Sequence, residues 1–445
     1  MADEQPQSRL ISLDVFRGMT IAGMVLVNNP GGSLVYWPLD HAEWNGLTPT
    51  DWIFPFFLFI VGVSISISLG KRIADKPDRT TYWKIISRSA SIYLLGAALS
   101  ILPFFQFQAT DAPDPLKMLI WLAFSASLLF LLLRNYKAAG ALVVLGLVGI
   151  AGMNLAGYNV VPYNFGTLRI FGVLQRIAVC YLITSLIFLH TNWKQQVGIS
   201  VVLLLGYWLL MTTIPVPGCE VTSVSDKACN LAAYIDRLIL GQNHIWRGGK
   251  VYDPEGILST IPAIVTTISG VLTGTWLLRK DEGGSLKDEN TSLSHSYEKV
   301  AGMFFFGIVL LTVGLIWNSY FPINKSLWTS SYVLATTGLA LLTLGACYWI
   351  IDIKGYSCWA KPFVIFGINA LALFLFSGLF ARMISAYRIN GPDGQLISIQ
   401  RWFINNIFHP LFQPIDASLA FAISFILFWL LLMWLLYRKK IYIKV

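Results

Sequence analysis

Charge is scarce in this chain. Of 445 residues only 12% are Asp, Glu, Lys or Arg, about half the usual share, while 56% are hydrophobic. The apolar residues fall in blocks of about 20, the length that crosses a bilayer, so a conventional water-soluble fold is excluded. Metal-ligand spacing is also missing: the five cysteines do not form a zinc-type pattern, and no metal is expected. The N-terminal stretch MADEQPQSRLISLD has neither a basic n-region nor a small-residue cleavage site. A cleaved signal peptide is therefore not expected, and the first apolar block should stay as a span. There is no fixed-period repeat and no matched pair of Gly/Pro-broken spans, the pattern that points to a transporter built from inverted repeats.

What is present reads as an all-α polytopic membrane protein forming a single transmembrane domain over 1–445. The apolar blocks predict about twelve transmembrane helices, at 12–29, 51–70, 88–105, 116–133, 138–156, 168–189, 197–214, 257–278, 300–319, 329–351, 363–383 and 416–437. Orientation follows from Lys and Arg. With both termini cytoplasmic, the inner side holds the cluster Lys71, Arg72, Lys76, Arg79, Lys84 and Arg88 and the closing Arg438, Lys439, Lys440 and Lys444, and the outer loops hold far fewer. The net charge of +9 is then explained by topology and anionic lipid, not by nucleic acid. The charged, Gly/Ser-containing stretch 279–299 has no apolar period and reads as a flexible cytoplasmic linker.

The longest outer loop, 215–256, contains Cys219 and Cys229, the two cysteines expected on the outside. In an oxidising compartment they pair, closing a short loop at a gain of roughly 2–3 kcal/mol. After them Leu231, Tyr234, Ile235, Leu238 and Ile239 recur at helical spacing opposite Asp236 and Arg237. That spacing predicts a short helix, 231–240, lying in the outer interface.

Polar residues at or inside the membrane are costly and need individual reasons. Asp14 and Arg17 lie one turn apart at the inner edge of the first span, either as a neutralising pair or as part of a site. Asn28 and Asn29 precede PGG, as a helix C-cap or as site residues. Asp51 follows TPT, where an N-cap is an equal reading. Gln175 and Arg176, about two turns inside the sixth predicted span, need partners or a bound anion. His41 stands apart from the other histidines because Asn28, Trp44, Asn45 and Asp51 crowd the same rim. An imidazole near neutral pH is the best available general base, and amides can steady an oxyanion. Asp253 and Glu255 in YDPEG sit at the mouth of the eighth predicted span, either capping its helix or meeting a cationic acceptor.

Eight segments together carry a resemblance: RLISLDVFRGMTIAGMVLVNNPGG, HAEWNGLTPTDWIFPFFLFIVG, LRIFGVLQRIAVCY, PVPGC, AAYIDRLILG, YDPEGILSTIPAIV, PINKSLWTSSYVL and YRKKIYIKV. In this order they resemble the transmembrane acetyltransferases typified by heparan-α-glucosaminide N-acetyltransferase. The resemblance implies acetyl transfer from cytosolic acetyl-CoA to a glucosamine amine across the membrane, with His41 catalytic and Asn28 in the active site. As a separate mechanistic hypothesis, Arg17, Gln175 and Arg176 are assigned to the cofactor beside Asn28, with Arg176 open to the sugar instead, Asp51 to orienting the imidazole, and Trp44, Asn45, Asp253 and Glu255 to the acceptor. Direct transfer and a route through acetyl-His41 both remain open.

Set beside the lysosomal enzyme, the chain is expected to lack the soluble lumenal domain that precedes the first core helix there, and 106–160 reads as an additional helical hairpin. The expectation is therefore a bacterial inner-membrane relative acting on glucosamine or short amino-sugar glycans, with homo-oligomerisation left open. An amino-sugar transporter or an O-acetyltransferase of envelope polysaccharide are the alternatives.

Overall fold

The computed structural model describes residues 10–74, 77–278, 289–391 and 394–443. Its helices in chain order are α1 (Ile11–Asn28), α2 (Ile53–Ala74), α3 (Arg79–Ile101), α4 (Asp114–Leu132), α5 (Tyr136–Leu155), α6 (Val173–His190), α7 (Trp193–Thr213), α8 (Leu231–Ile239), α9 (Thr260–Leu278), α10 (Glu289–Trp317), α11 (Ser330–Cys347), α12 (Lys361–Ile368), α13 (Ala370–Ala386), α14 (Ile399–Phe403) and α15 (Pro414–Arg438). A two-stranded antiparallel hairpin, β1 (Arg388–Asn390) and β2 (Leu396–Ser398), follows α13.

Among the described residues ten helices are long and apolar enough to span a membrane, and the bent pair α12–α13 makes an eleventh. This is one fewer than the twelve blocks. The difference is α3, which at 23 residues is long enough to cross but carries Arg79, Lys84 and Arg88 and is less apolar than the others; counted with the eleven it restores the even number that keeps both termini on one side. The bend of 82° between α12 and α13 falls at Asn369, whose carboxamide accepts from Ile443 N (2.8 Å) and donates to Ile441 O (3.2 Å). The C-terminal tail thus satisfies the carboxamide of the residue at the break. The stretch expected as a linker differs in its second half, where α10 begins at Glu289; residues 279–288 lie outside the described residues.

Helix α1, α2, α6 and α9 are the most buried spans, while α5, α7, α10 and α15 lie outermost. The outer helices present Val144, Leu147, Val201, Val202, Leu205, Phe305, Phe306, Leu427 and Phe428 outward. In water such faces would aggregate; against acyl chains they are matched to the solvent. Helices α2 and α9 pack backbone to backbone, because a methyl on Gly62 would collide with the Thr267 carbonyl and one on Gly270 with that of Phe59. This fixes the span that begins at Asp51 against the one that follows Glu255.

The connections at one end of the bundle are knitted together. Gly46 N donates to Ile323 O (2.8 Å), Ile170 N to His244 O (3.1 Å) and Trp44 Nε1 to Val224 O (3.0 Å). Cys219 and Cys229 form a disulfide in the same group of loops. Helix α8 is present, capped by Asn230, which accepts from Ala233 N. Its orientation differs from the interfacial expectation: Asp236 points into the protein, 1% exposed, while Leu238 and Ile239 face out. Burial pushes the Asp236 carboxyl up to about 7, against the pull of the Ile257 N–H that it accepts at 2.9 Å.

Candidate active site

Asp51 is the anchor. Thr48 and Asp51 form a reciprocal capping box on the turn Pro49–Trp52 that leads into α2. Oδ2 of Asp51 accepts from Thr48 N (3.1 Å) and Ala42 N (3.2 Å). Oδ1 is left facing His41 Nδ1 at 2.7 Å. Asp51 thus caps the turn with Oδ2 and meets His41 with Oδ1. Asp51 is 1% exposed and the His41 side chain 49%, so a buried acid holds a half-exposed imidazole. As a carboxylate Asp51 can only accept, so it favours the neutral tautomer that carries its proton on Nδ1 and its lone pair on Nε2.

A residue that sequence reasoning left without a role completes the cluster. Lys325 Nζ lies 2.9 Å from His41 Nδ1, 3.3 Å from Nε2 and 3.5 Å from Asp51 Oδ1. It is presented by the rigid loop 318–329: Asn324 Oδ1 accepts from Leu327 N (2.9 Å), Asn324 Nδ2 donates to Asn45 Oδ1 (3.1 Å), and Tyr207 OH donates to Leu327 O (2.6 Å). Burial pulls the pKa of Lys325 down, while Asp51 and then Glu255 act in the opposite sense. Tyr332 at the start of α11 donates to the Asp51 carbonyl (2.7 Å), tying the loop's far end to the same turn.

Trp44 and Asn45 both reach the disulfide loop. The indole packs edge-on to Tyr252 at 4.9 Å, and Asn45 Nδ2 donates to Ser225 Oγ at 3.0 Å. Asp253 and Glu255 follow Tyr252, and both bind Arg169, another residue not singled out from sequence. Arg169 Nε donates to Asp253 Oδ2 at 2.9 Å, and Nη2 contacts both acids. Asp253 Oδ1 also accepts from Glu255 N (2.9 Å), a local turn that stands beside the ion pair. Burial lowers the pKa of Arg169, but Glu255 and Asp253 outweigh it and the net shift is upward.

Gln175 and Arg176 lie in the first turn of α6, which starts at Val173 and not at 168, so they are close to the loop end and not two turns inside. Gln175 packs into the α3 contact at Gly96. Arg176 is fully buried, with its guanidinium 5.0 Å from the Trp328 ring centroid. Its Nη2 donates to Gly256 O (3.2 Å) and Ser259 Oγ, while Nε and Nη1 have no partner among the described residues. Two orphan donors on a buried cation suit a substrate oxygen. Asn28 ends α1, exposed, with no side-chain hydrogen bond among the described residues; it shares the His41 end because Gly23, little more than a turn before it, faces Ile53 of α2. Arg17 lies at the opposite end, bonded to Asp14 Oδ1 (3.3 Å) and Ser64 Oγ (3.0 Å). Among the described residues no group of three or more His, Cys, Asp or Glu is placed to hold a metal ion.

The model of the catalytic region of heparan-α-glucosaminide N-acetyltransferase matches residues 9–155, which include Asn28, His41 and Asp51. The mouse heparan-α-glucosaminide N-acetyltransferase is 28% identical over 425 residues, 84% of this chain and 55% of that protein. The human one is 28% identical over 481 aligned residues, covering 98% of this chain and 60% of its own length. The chain is similar to heparan-α-glucosaminide N-acetyltransferases over most of its length. It spans little more than half the length of these two relatives. The family model runs from α1 through α5, while Arg169, Arg176, Glu255 and Lys325 lie beyond it.

Proposed function

We propose that this chain is a transmembrane N-acetyltransferase, moving the acetyl group of acetyl-CoA to the amine of glucosamine or a short amino-sugar glycan on the other side of the membrane. The observation that carries this reading is the 2.7 Å contact of His41 Nδ1 with buried Asp51, in a family of glucosaminide N-acetyltransferases. The excess of Lys and Arg on the connections of the Arg17 end supports a cytoplasmic location for that end and for both termini.

In this reading the CoA phosphates lie by Arg17 and the pantetheine arm reaches outward past Arg176 and Gln175 to place the thioester beside Asn28 and His41. Eleven residues of α1 separate Arg17 from Asn28, a rise of about 16 Å. The acceptor enters over Trp44 and Asn45, beside the Arg169, Asp253 and Glu255 cluster. Its nitrogen attacks the thioester carbonyl, its proton passes to His41 Nε2, the C–S bond breaks, and CoA leaves as a thiolate that takes the proton back. Asp51 holds the imidazole in the tautomer that accepts at Nε2, and Asn28 donates to the oxyanion. The direct route needs no acyl-enzyme.

Mass spectrometry of glucosamine and short amino-sugar oligomers incubated with purified protein and labelled acetyl-CoA tests this reading. The expected product carries the label on nitrogen. Label on a hydroxyl would make the protein an O-acetyltransferase, and unlabelled sugar would remove the acetyltransferase reading.

A further inference from the structure

The cation at His41 calls for its own account. A lysine donating along the in-plane lone pair of Nδ1 would lie far from Nε2, on the opposite side of the ring. Lys325 Nζ is instead 2.9 and 3.3 Å from the two nitrogens, so it is held against the ring and not bonded to one of them. Its distance of 3.5 Å from Asp51 Oδ1 explains what holds it there. The side chain is 25% exposed, so the charge is only partly screened by water. Other charged groups near the imidazole are Asp40, which accepts from His41 N at 2.8 Å, and Glu255, whose charge acts on Lys325 through space.

The position of Nζ relative to Nε2 matters because of what must happen beside Nε2. The acceptor nitrogen has to approach Nε2 within hydrogen-bond reach and the acetyl carbon within bonding reach. The carbonyl oxygen is one bond further, so it develops its negative charge a few ångströms from Nε2. An ammonium already 3.3 Å from Nε2 is within reach of that oxygen. Asn28 offers a neutral dipole; Lys325 offers a full charge.

We propose that Lys325 is a catalytic residue whose ammonium faces the acetyl carbonyl and stabilises the oxyanion formed when the acceptor amine attacks. The proposal rests on the N-acetyltransferase reading of the site. The acceptor N–C bond forms as the carbonyl π pair moves to oxygen beside Lys325, and that pair returns as the C–S bond breaks. Lys325 gives up no proton, and its charge is the same before and after turnover. The same ammonium opposes that of the acceptor, so the acceptor reacts as the free amine.

The test uses the full-length protein with Lys325→Met and Lys325→Arg, with wild-type turnover as the reference. Wild-type activity reports on the acetyltransferase reading itself, and the ratio of variant to wild type reports on Lys325. Lys325→Met is expected to lower kcat by about 10²- to 10³-fold with the acceptor and acetyl-CoA KM values nearly unchanged, and Lys325→Arg to recover at least about tenfold of the loss. Binding of a trifluoromethyl ketone analogue of acetyl-CoA, whose hydrate carries an oxyanion-like oxygen, is expected to weaken in Lys325→Met much more than binding of the thioether S-ethyl-CoA. This second readout does not depend on turnover. Wild-type kcat in Lys325→Met, an effect confined to acceptor KM, or equal weakening of both analogues would overturn the proposal.

Discussion

His41 and Asp51 meet at 2.7 Å through one carboxylate oxygen, while the other oxygen of Asp51 closes the turn that starts α2. The division of labour predicts a separable phenotype. Asp51→Asn keeps an oxygen for the cap amides and loses control of the imidazole tautomer. It should lower kcat by about 10²- to 10⁴-fold with little change in thermal unfolding. Asp51→Ala should lose both, adding a cap penalty of about 1 kcal/mol. Steady-state kinetics beside unfolding curves for the two variants check this; equal stability loss in both would mean that the cap is the main role.

The Arg169 cluster predicts a different split. Asp253 is fully buried and engaged by Arg169, so Asp253→Asn should act mainly on stability, and Arg169→Ala should cost about 3–5 kcal/mol by leaving a buried acid unpaired. Glu255 lies at the more open edge, 10% exposed. Glu255→Gln should raise the KM for the amino sugar with acetyl-CoA affinity unchanged. An unchanged acceptor KM would move the acceptor site away from this cluster.

Asp236 predicts a pH dependence of stability. Its carboxyl is raised from 3.8 to about 7 by burial, so the folded protein holds a proton that the unfolded chain releases. The associated stability is present below pH 4, declines as pH rises, and is lost once pH passes about 7. Asp236→Asn keeps an acceptor for Ile257 N–H and should remove this slope, making the variant the more stable protein at pH 8. Melting temperatures between pH 4 and 8 decide it; parallel curves for the two proteins would be the contrary outcome.

Much of the helical framework was legible because a run of about 20 apolar residues is a local signal. What was not legible depends on distant partners. The Asn369 carboxamide at the break is bonded to backbone groups of Ile441 and Ile443, 72 and 74 residues away. Lys325 meets His41 across 284 residues and sits in PINKSLW, where a lone lysine reads as a loop charge. Arg169 was hidden because the apolar stretch around Phe171 extends the sixth block back to 168, whereas the helix begins only after the extended Gly172. The carboxylates of YDPEG and the cluster around His41 were visible by type and spacing. Their cationic partners were not.

Sidedness has a direct check. Cys358 is exposed in the connection between α11 and α12 at the Arg17 end, and Glu43 is exposed beside His41. In right-side-out vesicles a membrane-impermeant thiol reagent should label Glu43→Cys and spare Cys358. The reverse pattern would invert the direction of acetyl transfer.

The most direct measurement of the account is label transfer by His41→Ala. With labelled acetyl-CoA and glucosamine, the variant should bind acetyl-CoA as the wild type does, unfold at a similar temperature and form less product by a factor of at least about 10². Wild-type product formation by the folded His41→Ala protein would contradict the account, because the proton of the acceptor would then have another destination.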